Sequence, residues 1–344
     1  MSNKNIKNPS PLISLIPLSV LVILLALTIK LFGADAIAGG SQLSLLTASA
    51  VCTAMSILIY GRKWVDLEES ILKNMRSATP ALIILLLIGA IAGTWMASGI
   101  IPSLIYYGLK ILHPSIFLPA SCIICAIISL LTGSSWTTIA TIGVALMGIG
   151  RALGFDDGWI AGAIISGAYF GDKISVMSDT TVLASSTTEV PLFTHNKYML
   201  ITTIPSLLIS IMVFTIVGLS ASTTSSADMM AIEEGLQSTF NISPWLLIVP
   251  ILTGILIAKR LPAIVTLFAS AFMAAIAMVI AQPELILQIA NVENSSALSS
   301  LKAIIIASTT NNSIETGNEL LNNLVTTRGM GGMMGTIWLI ICAM

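Results

Sequence analysis

The chain has 344 residues, of which 9% are charged and 56% are hydrophobic, and its formal net charge is −1. A soluble domain carries about 25% charged residues, so this chain cannot cover a water-exposed surface with polar side chains. The balanced charge also excludes nucleic acid as a partner, because nucleic acid requires basic patches. The composition therefore predicts an integral protein of the lipid bilayer.

Apolar segments that approach the length of a spanning helix, about 20 residues, recur along the chain. In order they are 11–32, 43–60, 79–101, 115–132, 137–155, an interrupted 158–190, 196–219, 243–258, 262–281 and a last segment that begins near Gly332. Lysines and arginines are more numerous in the loops on the side of the N-terminus, which places that terminus in the cytoplasm. The sequence predicts an all-α polytopic protein of the cytoplasmic (inner) membrane, with its N-terminus inside.

Two sections of the chain follow the same plan of two spans, a polar linker and a third span. The linker 61–78 falls inside and the linker 282–331 falls outside, so the two sections have opposite orientations. Inverted repeats of this kind are typical of secondary transporters. We therefore expect one transmembrane domain over residues 1–344. It consists of a first repeat at about 11–195, a linking span at 196–219 and an incomplete second repeat at about 243–344.

The last predicted segment is too short to cross a bilayer before Met344. We expect that the second repeat is truncated and that its hairpin and broken helix are missing. The alternative is a C-terminal tail that lies in the membrane interface.

The stretch LLTGSSWTTIATIG (130–143) joins two apolar segments through small and hydroxyl residues. It predicts a re-entrant hairpin whose tip lies within the membrane, where irregular backbone must be buried in protein or line a wet cavity. Ser134, Ser135 and Thr137 would then offer oxygens to a cation or a carboxylate. The alternative is an ordinary loop between two complete spans.

The stretch GAYFGDKISVMSDTTVLAS begins at Gly167 and predicts a broken helix. Small residues spaced four apart allow a neighbouring helix to approach closely. The β-branched and hydroxyl residues that follow compete with helical hydrogen bonding. We expect a half-helix at 158–171, an unwound segment at 172–181 and a second half-helix at 182–190. The alternative places 172–181 in a surface loop.

The charges in this stretch point to an ion site, because charges within a membrane are costly and usually face a cavity or a partner. We expect Asp172 and Asp179 to form a cage for a small hard cation such as sodium, with hydroxyls from Ser178, Thr180 and Thr181 around it. Burial and mutual repulsion raise the pKa of such carboxyls, so protons compete with the cation, as antiport requires. Lys173 would neutralise one aspartate in the empty state; the alternative is a static Asp–Lys pair that holds a packing interface.

The predicted spans contain no constellation of catalytic residues. Cys122 and Cys125 have the spacing of a redox or zinc motif but lack a second pair of ligands, so we interpret them as buried structural cysteines. We therefore predict that the protein is not an enzyme and carries no cofactor besides the sodium ions and protons that it moves.

The GDKISVMSDTT stretch, the HNKYM run at 195–199 and the upstream GSSWTTIATIG resemble the motifs of the NhaC family of sodium/proton antiporters. The resemblance extends over essentially the whole chain. It implies hairpins and broken helices in inverted repeats, sodium/proton antiport, and roles for Asp172, Lys173 and Asp179 with the hydroxyls that follow. Val176 stands where the family usually has proline, and the family's chains usually continue beyond this length.

The same family resemblance leaves two further functions open. One is exchange of small organic acids such as malate and lactate with sodium and protons, in which the hydroxyls of 133–138 would hold a carboxylate. The other is an inactive fragment of a disrupted antiporter gene. A homo-oligomer is compatible with the sequence, which does not specify the oligomeric state.

Overall fold

A computed structural model describes residues 10–111, 113–176, 178–220, 226–259, 261–294, 296–311, 314, 316 and 319–344. Within these residues the side chains of 34, 179, 186, 187, 226–229, 319, 320 and 323 are not described. Every regular element in the described part of the chain that is longer than an isolated bridge is a helix, which confirms the prediction of an all-α protein.

The helices are α1 (Pro11–Phe32), α2 (Gly40–Leu58), α3 (Trp64–Ala97), α4 (Ile100–Ile111), α5 (Pro114–Thr132), α6 (Ser135–Thr138), α7 (Val144–Ala152), α8 (Asp157–Ile174), α9 (Asp179–Thr187), α10 (Leu192–Ser220), α11 (Ser226–Thr239), α12 (Ile248–Ala258), α13 (Ala263–Ala281), α14 (Pro283–Ala290), α15 (Ala297–Thr309), α16 (Glu319–Val325) and α17 (Met334–Ala343). Short 3₁₀ helices cover Gly33–Ala38, Pro244–Leu247 and Gly329–Met333, and a π-helix covers Ile139–Gly143.

Six helices among the described residues are long and apolar enough to cross a membrane: α1, α2, α3, α5, α10 and α13. A seventh is counted if α11 and α12, which meet at a bend of 91°, form one broken span. Many large apolar side chains on these helices are exposed, as lipid contact requires. The chain is therefore a multi-pass membrane protein.

Two segments differ from the sequence prediction. The prediction that the polar linker 61–78 is a loop is wrong. Helix α3 begins at Trp64 and continues without a break through the rest of this stretch. The glutamates, lysine and leucines in this part of α3 are strong helix formers, so the stretch is helical although much of it is polar. The linker 282–331 likewise contains three short helices, α14 to α16.

The chain divides into two compact units, one formed by Met1–Leu86 with Met333–Met344 and the other by Leu87–Gly332. In the first unit α2 packs against α1 and α17. Thr28 and Ser44 share a hydrogen bond of 3.0 Å, and the Nε2 atom of Gln42 donates to the carbonyl oxygen of Ile37 at 2.7 Å. These polar contacts join α2 to α1 and to the 3₁₀ helix Gly33–Ala38.

In the second unit, α5 and the return arm formed by α6, the π-helix and α7 make an antiparallel hairpin. Phe117, near the start of α5, stacks on Phe155, just after α7, with ring centroids 5.7 Å apart. α5 has 19 residues, or roughly 28 Å at the α-helical rise, which is close to the thickness of the hydrocarbon core. The re-entrant position of the hairpin stays a prediction, since α5 alone is long enough to cross.

Helix α8 runs parallel to α5 and antiparallel to α10. Its loop end is fixed by Asp156, whose side chain accepts from Gly158 N at 2.8 Å, and by an ion pair in which Arg151 donates two hydrogen bonds to Asp157 at 2.7 and 2.6 Å. The other end of α8 lies at the hairpin turn and carries Asp172. The prediction of repeats at 11–195 and 243–344 around a linking span at 196–219 stays a prediction.

Candidate functional site

Close packing of α5 and α8 positions the candidate site. A Cβ atom at Gly167 would overlap the carbonyl oxygen of Cys122, and one at Gly171 would lie 2.5 Å from the carbonyl oxygen of Ala126. All of these obstacles are backbone atoms, which cannot move as a side chain can. The prediction that these glycines admit a neighbouring helix is confirmed, and the neighbour is α5.

Asp172 lies in the last turn of α8 and both of its carboxylate oxygens accept hydrogen bonds. Ser135, at the start of the return arm, donates to Oδ2 at 2.8 Å. Ser178, beyond the end of α8, donates to Oδ1 at 2.6 Å. Asp172 is half-buried, whereas Ser135 and Ser178 are buried. One carboxylate thus joins the hairpin turn to the segment that follows α8.

A row of hydroxyls continues from Asp172 to Thr180. The oxygens of Ser178 and Thr180 are 2.8 Å apart. Because the single hydrogen of Ser178 is directed to Asp172, Thr180 donates to Ser178 in this arrangement. Thr180 is exposed, so the row extends from a half-buried carboxylate to an accessible hydroxyl.

The break after α8 is shorter than the sequence predicts. α8 continues to Ile174 and α9 begins at Asp179, so the expected unwinding over 172–181 is wrong for its first three and last three residues. Within the helical part, Ser175 N donates to the carbonyl of Gly171 at 3.0 Å. Packing against α5 and α10 stabilises this turn despite its β-branched residues, which is a tertiary effect that propensity does not capture.

At the C-terminal end of α8, side chains donate hydrogen bonds to backbone carbonyls that have no partner within the helix. Thr181 Oγ1 donates to the carbonyls of Asp172 and Lys173 at 3.2 and 3.3 Å. Asn196 Nδ2, from α10, donates to the carbonyl of Ile174 at 3.1 Å. The Oδ1 atom of Asn196 is buried and has no hydrogen-bond partner among the residues that the structure describes. It is a free acceptor next to the negative end of the α8 dipole, and both properties suit a cation.

The hairpin turn has a defined local structure. Gly133 ends α5 in the left-handed region (φ 68°), and Ser134 begins α6 by accepting from Thr137 N at 3.2 Å. Thr137 Oγ1 also donates to Ser134 Oγ at 3.0 Å. Of the three predicted tip contacts, Ser135 therefore reaches Asp172, whereas Ser134 and Thr137 bond to each other. The π-helix at Ile139–Gly143 follows within one turn.

The predicted cage of Asp172 and Asp179 with Lys173 stays a prediction, although the structure shows where Lys173 lies. Lys173 is exposed and lines a groove between α8 and α10, and no ion pair joins it to the described side chain of Asp172. Consecutive residues of a helix lie about 100° apart, so the two cannot share a face. Asp179 is the first residue of α9, but its side chain lies outside the described part of the structure.

The donor set of this site consists of oxygen atoms. No group of three or more His, Cys, Asp or Glu side chains occurs among the residues that were described, so a transition-metal site is not indicated there. A carboxylate with serine and threonine hydroxyls is a hard donor set that suits a small cation such as sodium. Asp172, Ser135, Ser178 and Thr180 supply it.

Ser129, Ser175 and Asn196 make hydrogen bonds between the helices around the site, a role that the sequence did not predict. Ser129 Oγ donates to the carbonyl of Ala168, and Ser175 Oγ donates to the carbonyl of Leu130 at 2.9 Å. The available signal for Ser129 was a polar residue in a predicted apolar span, whereas Ser175 lay in the predicted break of the helix and Asn196 in the HNKYM run. Their partners belong to other helices, so the sequence alone could not supply them.

Comparison with known proteins identifies the family. A model of the Na+/H+ antiporter family matches residues 2–168 and 167–344. The malate-2H(+)/Na(+)-lactate antiporter of Bacillus subtilis (strain 168) is 38% identical over 304 residues, which are 87% of this chain and 61% of that protein. The Na(+)/H(+) antiporter NhaC of the same organism is 37% identical over 300 residues, 87% of this chain and 63% of that protein.

A more distant relative, the arginine/ornithine antiporter ArcD of Halobacterium salinarum, is 33% identical over 338 residues, 97% of this chain and 65% of that protein. The chain thus spans less than two thirds of the length of these relatives. No solved structure matches the chain significantly. All three of these relatives are named as antiporters. Together with the family match, these identities show that the chain belongs to the Na+/H+ antiporter family, as its GDK and SDTT motifs predict.

Proposed function

We propose that this chain carries out sodium/proton antiport across the cytoplasmic membrane at a site centred on Asp172. The observation that carries the proposal is the pair of hydrogen bonds from Ser135 and Ser178 to the two oxygens of this carboxylate. They bring the hairpin turn and the break after α8 to one titratable group. Discontinuous helices with such oxygen clusters are common ion sites in secondary transporters.

Competition for the same oxygens accounts for the exchange. The ionised Asp172 and the lone pairs of the neighbouring hydroxyls coordinate a sodium ion. A proton on Asp172 removes the negative charge, and sodium then has little to hold it. Each ligand therefore excludes the other, so sodium leaves when Asp172 takes up a proton.

The hydroxyl row accommodates both charge states of Asp172. When the carboxyl is ionised, Ser178 donates to it and accepts from Thr180. When the carboxyl is protonated, its O–H donates to Ser178, whose own hydrogen turns to Thr180. The row reverses its direction without moving a heavy atom, and it connects the carboxyl with the exposed hydroxyl of Thr180.

The membrane orientation that we propose places the N-terminus in the cytoplasm. The loops on that side hold more lysine and arginine than those on the other side, as the positive-inside rule requires. Protease accessibility of a tag fused to residue 1 in right-side-out vesicles tests this orientation. Cleavage of the tag by protease added outside would contradict it.

Everted membrane vesicles test the antiport. Addition of sodium to acidified vesicles releases protons if the proposal holds, and Asp172→Asn abolishes the release because amide and carboxyl have the same shape but only the carboxyl titrates. The matched control is Asp157→Asn at the opposite end of α8, where Asp157 pairs with Arg151. Normal transport by Asp172→Asn, with equal amounts of protein in the membrane, would refute the site.

A second candidate is an exchange of organic acids with sodium and protons. The observation that favours it is the 38% identity to an antiporter named for malate and lactate. Uptake of radiolabelled malate into lactate-loaded vesicles tests it. A chain that moves only cations shows no uptake above empty vesicles, whereas sodium-stimulated uptake would establish the organic-acid exchange.

A further inference from the structure

A groove with a volume of about 310 Å³, lined by both polar and apolar side chains, lies between α8 and α10. From α8 it is lined by Ser166, Tyr169 and Lys173, and from α10 by Ser206 among others. α10 is a candidate membrane span with little buried surface. The groove therefore places a lysine and several hydroxyls along the side of a spanning helix, where isolated polar groups are costly.

The hydroxyls of this groove differ in the hydrogen bonds that they make. Thr202 and Thr203 each donate to the carbonyl of Met199 in their own helix, and Ser210 donates to the carbonyl of Ser206. Among the described residues, the hydroxyls of Ser166, Tyr169 and Ser206 have no such partner. Three donors are therefore available to a ligand in the groove.

Lys173 is likewise available. No carboxylate occurs among the described side chains that line the groove, and no ion pair involves Lys173 within the described structure. A lysine near a helix C-terminus is stabilised by the partial negative charge of the last carbonyls. Here Thr181 and Asn196 already donate to those carbonyls, which weakens that stabilisation.

We propose that the groove binds an oxyanion, a phosphate or carboxylate group, through the ammonium group of Lys173 with Tyr169 and Ser206 as further donors. An ammonium group and neutral hydroxyls, all of them donors, match a group that offers only acceptors and a negative charge. Phosphate is offered by anionic lipid headgroups and as the free ion, and carboxylate is offered by soluble organic acids. The site is separate from Asp172 and does not depend on the proposed antiport.

Binding is tested on the purified full chain in nanodiscs, with its melting temperature as the readout. One arm compares phosphatidylglycerol with phosphatidylcholine discs; the other titrates malate and inorganic phosphate into phosphatidylcholine discs. The variants are Lys173→Gln, Lys173→Arg and, as a control outside the groove, Lys197→Gln. Like Lys173, Lys197 is exposed; it lies on α10 but does not line the groove.

We expect that an oxyanion raises the melting temperature of the wild type and that Lys173→Gln weakens its binding at least tenfold. Lys173→Arg and Lys197→Gln retain binding. A response to phosphatidylglycerol alone identifies a lipid headgroup, and a response to malate or phosphate identifies a soluble oxyanion. No response to any probe, or equal binding by Lys173→Gln, overturns the proposal. If Lys173→Gln does not fold, the double variant Tyr169→Phe and Ser206→Ala takes its place with the same criteria.

Discussion

Substitution of Gly167 by alanine tests the packing on which the site depends. The added Cβ overlaps the carbonyl oxygen of Cys122 and lies 3.0 Å from the backbone nitrogen of Ala126. Ordinary contact begins near 3.5 Å, and neither obstacle is a side chain, so α5 and α8 must separate by on the order of 1 Å. Overpacking of this kind costs about 1–3 kcal/mol.

The separation also acts on the site, because the hairpin and α8 meet at the Ser135–Asp172 hydrogen bond of 2.8 Å. A stability loss of about 2 kcal/mol lowers the melting temperature by roughly 4–8 °C in a unit of this size. We expect that fall in the detergent-solubilised protein, together with a weaker sodium response in vesicles. The control is Gly162→Ala in the same helix, where the nearest atom, of Phe214, is 3.7 Å away. Equal melting temperatures for the two variants would refute the packing argument.

Two further predictions concern the ends of α8. Asn196→Ala removes the donor to the carbonyl of Ile174, so we expect a loss of about 1–3 kcal/mol, measured as a lower melting temperature; an unchanged value would mean that water replaces the amide. At the other end, hydrogen bonds from Arg151 lower the pKa of Asp157, so this pair contributes stability above the ordinary aspartate pKa of about 3.9 and loses it as the pH falls through the depressed value. Both side chains are partly exposed, so the contribution is below about 1 kcal/mol, and Asp157→Asn should lower the melting temperature slightly at pH 7 and not at all at the most acidic pH.

The sequence was sufficient where one residue type has one physical consequence. Gly167 and Gly171 have no side chain and recur one turn apart, which predicts a close helix neighbour without knowledge of its identity. Asp172 was a candidate because a charge in an apolar stretch requires a partner or a cavity. Neither inference needed a tertiary contact.

Where a partner lies far along the chain, the sequence was insufficient. Asn196 completes the end of α8 across 22 positions, and Ser135 reaches Asp172 across 37. The unwinding expected over 172–181 was too long because local propensity was weighed without the support that α5 and α10 give. That Lys173 neutralises one aspartate stays a prediction; among the described side chains it makes no ion pair with Asp172, because adjacent helical residues face different directions.

The π-helix at Ile139–Gly143 sets how far the start of the return arm is rotated about the helix axis relative to α7. A π-turn contains one residue more than the α-helical turn that it replaces, and each residue of an α-helix advances the helix by about 100°. Without that residue, everything before the π-turn would be rotated by about 100° relative to α7. Ser135 would then no longer point at Asp172. The contact between the hairpin and the carboxylate thus depends on a single extra residue, which lies about one turn from Ser135 along the return arm.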